Sequence, residues 1–302
     1  LLSSSLVELP GRGVTRVWEH PGPPGAPTLM LVHGVTLTAE LNWSGVLEPL
    51  GAQFRVIAMD LCGHGESFRP DGRFSLEDCA DDLAQLARIQ GVEQLVAVGY
   101  SMGGLIAQLL YRRHRSLVTG LALCGTARNF RGSPLEKMAA LMWPAMMMTM
   151  RWNPMYQAVG AENLGSSLIG EIPDSQTREW ARAQMHRTSL ATALSAIRAV
   201  SEFTSHDWAA DIDVPTAVIV PTRDRVVNPR RQHKLAAAIP GAATYELDGD
   251  HGAFLNDPET LARILLAACG WASTKNPRGA ATPSEIGALG SGGQSGTRPV
   301  AT

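Results

Sequence analysis

The chain predicts an α/β protein with a mostly parallel central sheet flanked by helices. Three observations lead there. Short β-like runs alternate with amphipathic helical patterns, the signature of strands joined by crossover helices. The 302 residues suffice for one large α/β domain, or for such a domain carrying a sizeable insertion. An apolar run at residues 95–98 leads through a glycine-rich turn directly into a helical pattern, a strand, sharp turn and helix in succession.

Residues 14–19 read as an early strand, and the Pro/Gly-rich stretch 21–27 turns the chain. Residues 28–32 form a buried strand ending at His33-Gly34, and 54–59 a further strand ending at Asp60. Residues 75–90 predict a helix. Ser75 with Asp78 resembles a capping box, Leu76, Cys79, Leu83, Leu86 and Ile89 make the apolar stripe, and Gly91 stops it. The strand 95–98 precedes the helix 102–115, whose end carries Arg112-Arg113-His114-Arg115, cations placed to offset the helix dipole. Strands at 117–124, 215–220 and 244–247 and a helix at 258–269 complete the alternation.

Between residues 126 and 206 the β periodicity disappears. This stretch is helical in composition, rich in Met and Trp, and broken by Pro134, Pro144, Pro154 and Pro173. We expect a helical cap inserted between two strands, a lid over an apolar pocket at the sheet edge. Helices packed on the sheet with methionine as core filler would use the same composition. The expected organisation is a core of residues 1–125 and 207–272, the cap at 126–206, and a tail at 273–302. The tail holds almost no large apolar residue, which predicts disorder.

A formal charge of −2 and a pI near 6.5 give no reason to expect a nucleic-acid partner. Cys62, Cys79, Cys124 and Cys269 lie far apart without metal-ligand spacing. Reduced thiols, no metal and a cytoplasmic setting are therefore expected. The opening residues lack the charged region and long apolar core of a secretory signal. The apolar segment 138–150 contains Pro144 and is too short for a bilayer span, so no stable membrane insertion is expected.

Chemistry concentrates at Gly99-Tyr100-Ser101-Met102-Gly103-Gly104, a G-x-S-x-G sequence in the strand–turn–helix setting of a nucleophile elbow. A serine capping the helix N-terminus would use the same residue types. A serine nucleophile needs a base, normally a histidine held by a carboxylate. Asp224 follows the strand 217–220, and His251 lies in Gly249-Asp250-His251-Gly252 after the strand 244–247. All three groups thus emerge at the carboxyl edge of the sheet, where open α/β sheets place their sites. Asp224 also suits a turn and His251 an ordinary loop. Asp248 and Asp250 compete as the acid, but stand too near His251 in sequence to reach its far nitrogen comfortably.

On these motifs the chain resembles the α/β-hydrolase superfamily, in its serine-dependent, cap-bearing esterase/lipase-like branch. The likeness runs from about residue 14 to residue 271, outside most of the cap and the tail. It rests on His33-Gly34, Asp60-Leu61-Cys62-Gly63-His64-Gly65-Glu66-Ser67, the elbow, and the Asp224 and His251 loops, in that order. The resemblance implies the α/β-hydrolase fold, the triad Ser101, Asp224 and His251, and an oxyanion hole from the backbone N–H groups of Val35 and Met102. His33 and His64 would be structural, with no cofactor and no metal.

The implied activity is hydrolysis of a small apolar carboxylic ester through an acyl-enzyme. A C–C bond hydrolase of a vinylogous diketone would use the same triad, but its relatives usually carry Gly-Pro-Gly where this chain reads Gly34-Val35-Thr36-Leu37-Thr38. A non-haem haloperoxidase-like perhydrolase usually places an aromatic residue and a proline there. Ser101 disfavours the relatives with an aspartate nucleophile, and an intact triad disfavours a non-catalytic ligand receptor.

Overall fold

A computed structural model describes residues 3–69, 72–130, 161–169, 172 and 174–273. Among them eight strands form one sheet: β1 (Ser3–Leu9), β2 (Gly13–His20), β3 (Thr28–Val32), β4 (Arg55–Met59), β5 (Leu95–Tyr100), β6 (Val118–Cys124), β7 (Thr216–Pro221) and β8 (Ala243–Leu247). Their spatial order is β1-β2-β4-β3-β5-β6-β7-β8. β1 pairs β2 and β2 pairs β4 antiparallel, and every other neighbouring pair is parallel. Strands β5 and β7 are buried along their whole length, as strands covered on both faces must be.

The α-helices among the described residues are α1 (Ala39–Gly51), α2 (Leu76–Ile89), α3 (Met102–Arg113), α4 (Glu162–Ile169), α5 (Ser175–His186), α6 (Leu190–Glu202), α7 (Pro229–Ala238), α8 (Ala253–Asn256) and α9 (Pro258–Ala272). One core joins α2, α3 and α7 to one sheet face through Leu83, Leu86, Leu105, Ile106 and Leu235. A second joins α1, α8 and α9 to the other face through Trp43, Leu47, Phe254, Leu261 and Leu265. The sheet is therefore a middle layer, and its edge loops are free to carry chemistry.

Several local expectations change. β1 is an extra antiparallel strand whose exposed outer residues carry little hydrophobic pattern. Helix α1 starts at Thr38, whose Oγ1 accepts from the Leu41 N–H at 3.0 Å. Helix α7 starts at Asn228-Pro229, a side-chain cap followed by proline in the first turn. At α2, Ser75 Oγ accepts from the Asp78 N–H as expected, but donates to Glu77 rather than joining a reciprocal box. Ile89 is 46 % exposed: Ala80, Ala84 and Ala87 share the inner face, which turns the last position outward. Helix α3 ends at Arg113 rather than at residue 115, with Arg112 and Arg113 in its last turn as expected, and the cluster also pairs with neighbouring carboxylates. Arg113 and His114 meet Asp81, and Arg115 meets Asp213.

Residues 131–160, with the apolar segment 138–150, and the tail from residue 274 lie outside the described residues. The described remainder of the stretch between β6 and β7 is mainly helical, with α4, α5 and α6 in succession. Gln184 of α5 accepts from Thr38 Oγ1 at 3.1 Å and donates to Glu40 at 2.9 Å. Arg187 reaches Glu66 at 2.8 Å. The Phe74 N–H donates to Ser195 of α6 at 3.2 Å. These helices thus rest on the loops that follow β3 and β4.

Candidate active site

Ser101 closes β5 with φ 54° and ψ −118°, a conformation that L-residues rarely adopt. Its N–H is tied to the Cys124 carbonyl at 2.8 Å, and the Gly104 N–H returns to the Ser101 carbonyl at 2.9 Å. The turn is this tight only because its glycines lack Cβ atoms. A Cβ on Gly103 would run into the Val32 carbonyl oxygen, and one on Gly99 into the Gly103 carbonyl. The hydroxyl does not cap α3, so the helix-cap reading of Ser101 falls away.

Instead, Ser101 Oγ lies 3.0 Å from His251 Nε2, and His251 Nδ1 lies 2.8 Å from Asp224 Oδ2. Three side chains from different loops therefore form one hydrogen-bonded chain, with Asp224, His251 and Ser101 each under a tenth exposed. Asp224 is immobilised by four donors. The Val226 and Val227 N–H groups each reach Oδ1 at 2.8 Å, while Gln232 Nε2 and His251 Nδ1 share Oδ2. The competing carboxylates are engaged elsewhere, Asp248 with Arg223 and Asp250 with the Gly252 N–H.

The His251 loop is anchored from behind. Tyr100 donates its hydroxyl to the His251 carbonyl at 2.9 Å and stands edge-on to the imidazole. Trp43 and Phe254 pack edge-on against Tyr100. Burial drives the Tyr100 phenol well above its ordinary range, so it remains a neutral donor.

The loop after β3 is held just as firmly. His33 Nδ1 donates to the Gly34 carbonyl at 2.8 Å, and His33 Nε2 accepts from the Leu61 N–H at 2.9 Å. The Gly34 N–H donates to Asn42 Oδ1 at 3.0 Å. In a trans peptide the N–H points opposite to the C=O. Pinning the Gly34 carbonyl to His33 therefore turns the Val35 N–H the other way, and that N–H has no hydrogen-bond partner among the described residues. A Cβ on Gly34 would stand 3.4 Å from Ser101 Cβ, so this loop lies against the serine. Met102 occupies the first position of α3, where the backbone N–H has no intrahelical acceptor.

Burial lowers the His33 imidazole to about 3 and that of His64 to about 4, so both are neutral at ordinary pH. The two rings stand 5.3 Å apart. Asp60 accepts from the Ala39 and Glu66 N–H groups at 2.8 Å each, and burial raises its carboxyl to about 6. These groups brace the loops after β3 and β4. Among the described residues no group of three or more His, Cys, Asp or Glu side chains could hold a metal ion.

Thr36 was not singled out from the sequence. It is fully buried, β-branched, at φ 63°, and its Oγ1 has no hydrogen-bond partner among the described residues. A Cβ on Gly165 of α4 would lie 2.8 Å from that oxygen, so α4 sits directly on the loop. Tyr100, Asn42 and Gln232 also escaped sequence reasoning. They act through contacts far apart in the chain, for which a single sequence holds no signal.

An open parallel sheet with a serine elbow, a buried histidine and a carboxylate at its carboxyl edge defines an α/β hydrolase-type site. The sequence matches the family described as the alpha/beta hydrolase fold over residues 27–259, and the chain belongs to that family. It is 30 % identical over 261 residues to a proposed carbamate hydrolase of Serratia proteamaculans, covering 82 % of this chain and 91 % of that one. It is 28 % identical over 259 residues to a pimeloyl-(acyl-carrier protein) methyl ester esterase of Chromobacterium violaceum, covering 79 % and 92 %. A hydrolase from Pseudomonas aeruginosa shares the fold with a TM-score of 0.74 at 22 % identity, over 89 % of this chain and 98 % of that one.

Proposed function

We propose that the chain hydrolyses carboxylic esters of small, apolar molecules through an acyl-enzyme on Ser101. The observation that carries this reading is the relay from Ser101 Oγ through His251 to Asp224, at 3.0 and 2.8 Å. A hydroxyl is a weak nucleophile until a base accepts its proton.

In this reading Ser101 Oγ attacks the ester carbonyl carbon while its proton passes to His251 Nε2. The Nδ1–H remains bonded to Asp224, which fixes the tautomer and stabilises the imidazolium. The carbonyl oxygen becomes an oxyanion held by the Val35 and Met102 N–H groups, fixed dipoles that need no reorganisation. Collapse expels the alcohol, which takes the proton from His251. Water then attacks the acyl-enzyme with His251 as base and releases the acid and free Ser101.

We read α4, α5 and α6 as the described part of a cap over the site. Support comes from α4 on Thr36 and from the bonds of Gln184 to Thr38 and Glu40.

The test pairs a fluorophosphonate probe with p-nitrophenyl esters from acetate to palmitate and a matched aryl carbamate. The wild type should label at Ser101 and turn over the esters, and Ser101→Ala should lose labelling and at least about 10⁴-fold in turnover. Undiminished hydrolysis by Ser101→Ala would refute the mechanism. Faster turnover of the carbamate than of every ester would keep the serine chemistry and reassign the substrate.

A further inference from the structure

A cavity of about 440 Å³ is lined by Phe130, Arg225, Val226, Val227, Arg230 and Lys234, among others. It shares two loops with the site. The loop after β7 carries Asp224, and the Val226 and Val227 N–H groups are the donors on Asp224 Oδ1. Phe130 comes from the loop after β6, where a Cβ at Gly125 would stand 3.4 Å from the His251 ring. Cavity and relay therefore open along the same edge of the sheet.

The lining divides by chemistry. Phe130, Val226 and Val227 form an apolar part, and Val226 is 40 % exposed to it and to solvent. Arg225, Arg230 and Lys234 supply positive charge, and the stretch 225–234 contains no acidic residue. Elsewhere arginines commonly meet carboxylates, as Arg12 does Asp82, Arg55 does Glu19 and Arg187 does Glu66. Arg225, Arg230 and Lys234 have no carboxylate partner among the described residues. In a chain of net charge −2, like charges gathered on one concave surface repel each other unless an anion lies among them.

We propose that this cavity is a subsite for the anionic end of an amphiphilic substrate. An apolar chain would lie on Phe130 and Val226, and a terminal carboxylate or phosphate would sit among Arg225, Arg230 and Lys234. Guanidinium groups suit both anions because their paired N–H donors match two oxygens at once. The assignment rests on the esterase reading for the reaction and adds the substrate class: an ester whose acyl or alkyl part carries a second, negatively charged terminus.

The experiment compares p-nitrophenyl hexanoate with mono-p-nitrophenyl adipate, esters of equal chain length that differ in a terminal methyl or carboxylate. The ratio of their kcat/KM values is measured for the wild type and for Arg225→Glu/Arg230→Glu, at low and high salt. The adipate-to-hexanoate ratio should fall about tenfold in the variant, and added salt should lower it in the wild type. A ratio unmoved by both changes would overturn the subsite, whatever happens to the absolute rates.

Calorimetric titration with hexyl phosphate, and with hexanoate, reads the cavity without turnover. Binding to the wild type that weakens about tenfold in the variant supports the subsite, and the tighter ligand tells phosphate from carboxylate. Absent or equal binding counts against it. If Ser101 fails to label with a fluorophosphonate, the reaction reading fails, while the titration still decides the subsite.

Discussion

Replacing Asp224 with asparagine should separate folding from catalysis, because the carboxylate's four donors fall into two pairs. The donors on Oδ1 are the backbone N–H groups of Val226 and Val227, which cannot turn away. The amide oxygen of the introduced asparagine must therefore face them, which puts its NH₂ group where Oδ2 now meets His251 and Gln232. Gln232 can adapt by turning its own amide, since its Oε1 is buried without a partner among the described residues, at the cost of its bond to the Val227 carbonyl. His251 can adapt only by becoming an acceptor at Nδ1, which moves its proton to Nε2. That nitrogen then faces Ser101 Oγ as a donor and can no longer take the serine proton.

Asp224→Asn should still fold, with stability reduced by about 1–3 kcal/mol for the bond lost at the Val227 carbonyl. Its kcat on p-nitrophenyl hexanoate should fall about 10⁴-fold, a barrier increase of about 5 kcal/mol. Fluorophosphonate labelling at Ser101 should slow in parallel. A loss under about tenfold in a well-folded variant would show that residue 224 does not set the imidazole tautomer, and the relay would have to be abandoned.

Two further outcomes follow from buried polar groups. An unfolded histidine binds a proton near 6.5, while His33 and His64 in the fold resist protonation down to about 3 and about 4. The unfolded chain thus holds more protons below about pH 6.5, and stability should fall with falling pH by on the order of 1 kcal/mol per unit for each histidine. Asp60, raised to about 6, binds its proton earlier in the fold than in the unfolded chain and returns part of that loss below about pH 6. Urea midpoints between about pH 7 and pH 5 measure the net, and a flat or rising trend towards acid would contradict neutral buried imidazoles. Gln184→Leu removes the bonds to Thr38 and Glu40 and should cost about 1–3 kcal/mol, with faster limited proteolysis in α5. An unchanged melt and digest would mean that these bonds do not hold the helices down.

The sequence was most readable where chemistry forces residue types close together. At the elbow, the turn needs glycines at 99 and 103 and a strand and helix on either side, so a short window specifies it. Asp224 and His251 were legible through a weaker rule, the exit of polar side chains at the ends of parallel strands. The groups that hold these three in place were not legible. Tyr100 reaches the His251 carbonyl across 151 positions of sequence, and nothing in its neighbours announces the partner. Helix α1 supplies Asn42 to the Gly34 N–H, yet its Pro49 and shallow apolar pattern hid it. Helix α7 supplies Gln232, and its run of Arg, Gln, His and Lys reads as a polar loop until Leu235 is seen in the core.

Those unread residues govern direction rather than identity. A serine, a histidine and an aspartate could lie on these loops and do nothing if the Gly34–Val35 peptide faced the wrong way. Its orientation is fixed from both sides: Asn42 takes the Gly34 N–H, and His33 takes the Gly34 carbonyl. The second contact depends on a neutral imidazole with its proton on Nδ1, which the Leu61 N–H enforces by occupying Nε2. Burial that lowers the His33 imidazole to about 3 therefore serves the site as well as the core. A neutral ring with its proton on Nδ1 keeps the Gly34 carbonyl pinned and so keeps the Val35 N–H turned away from it.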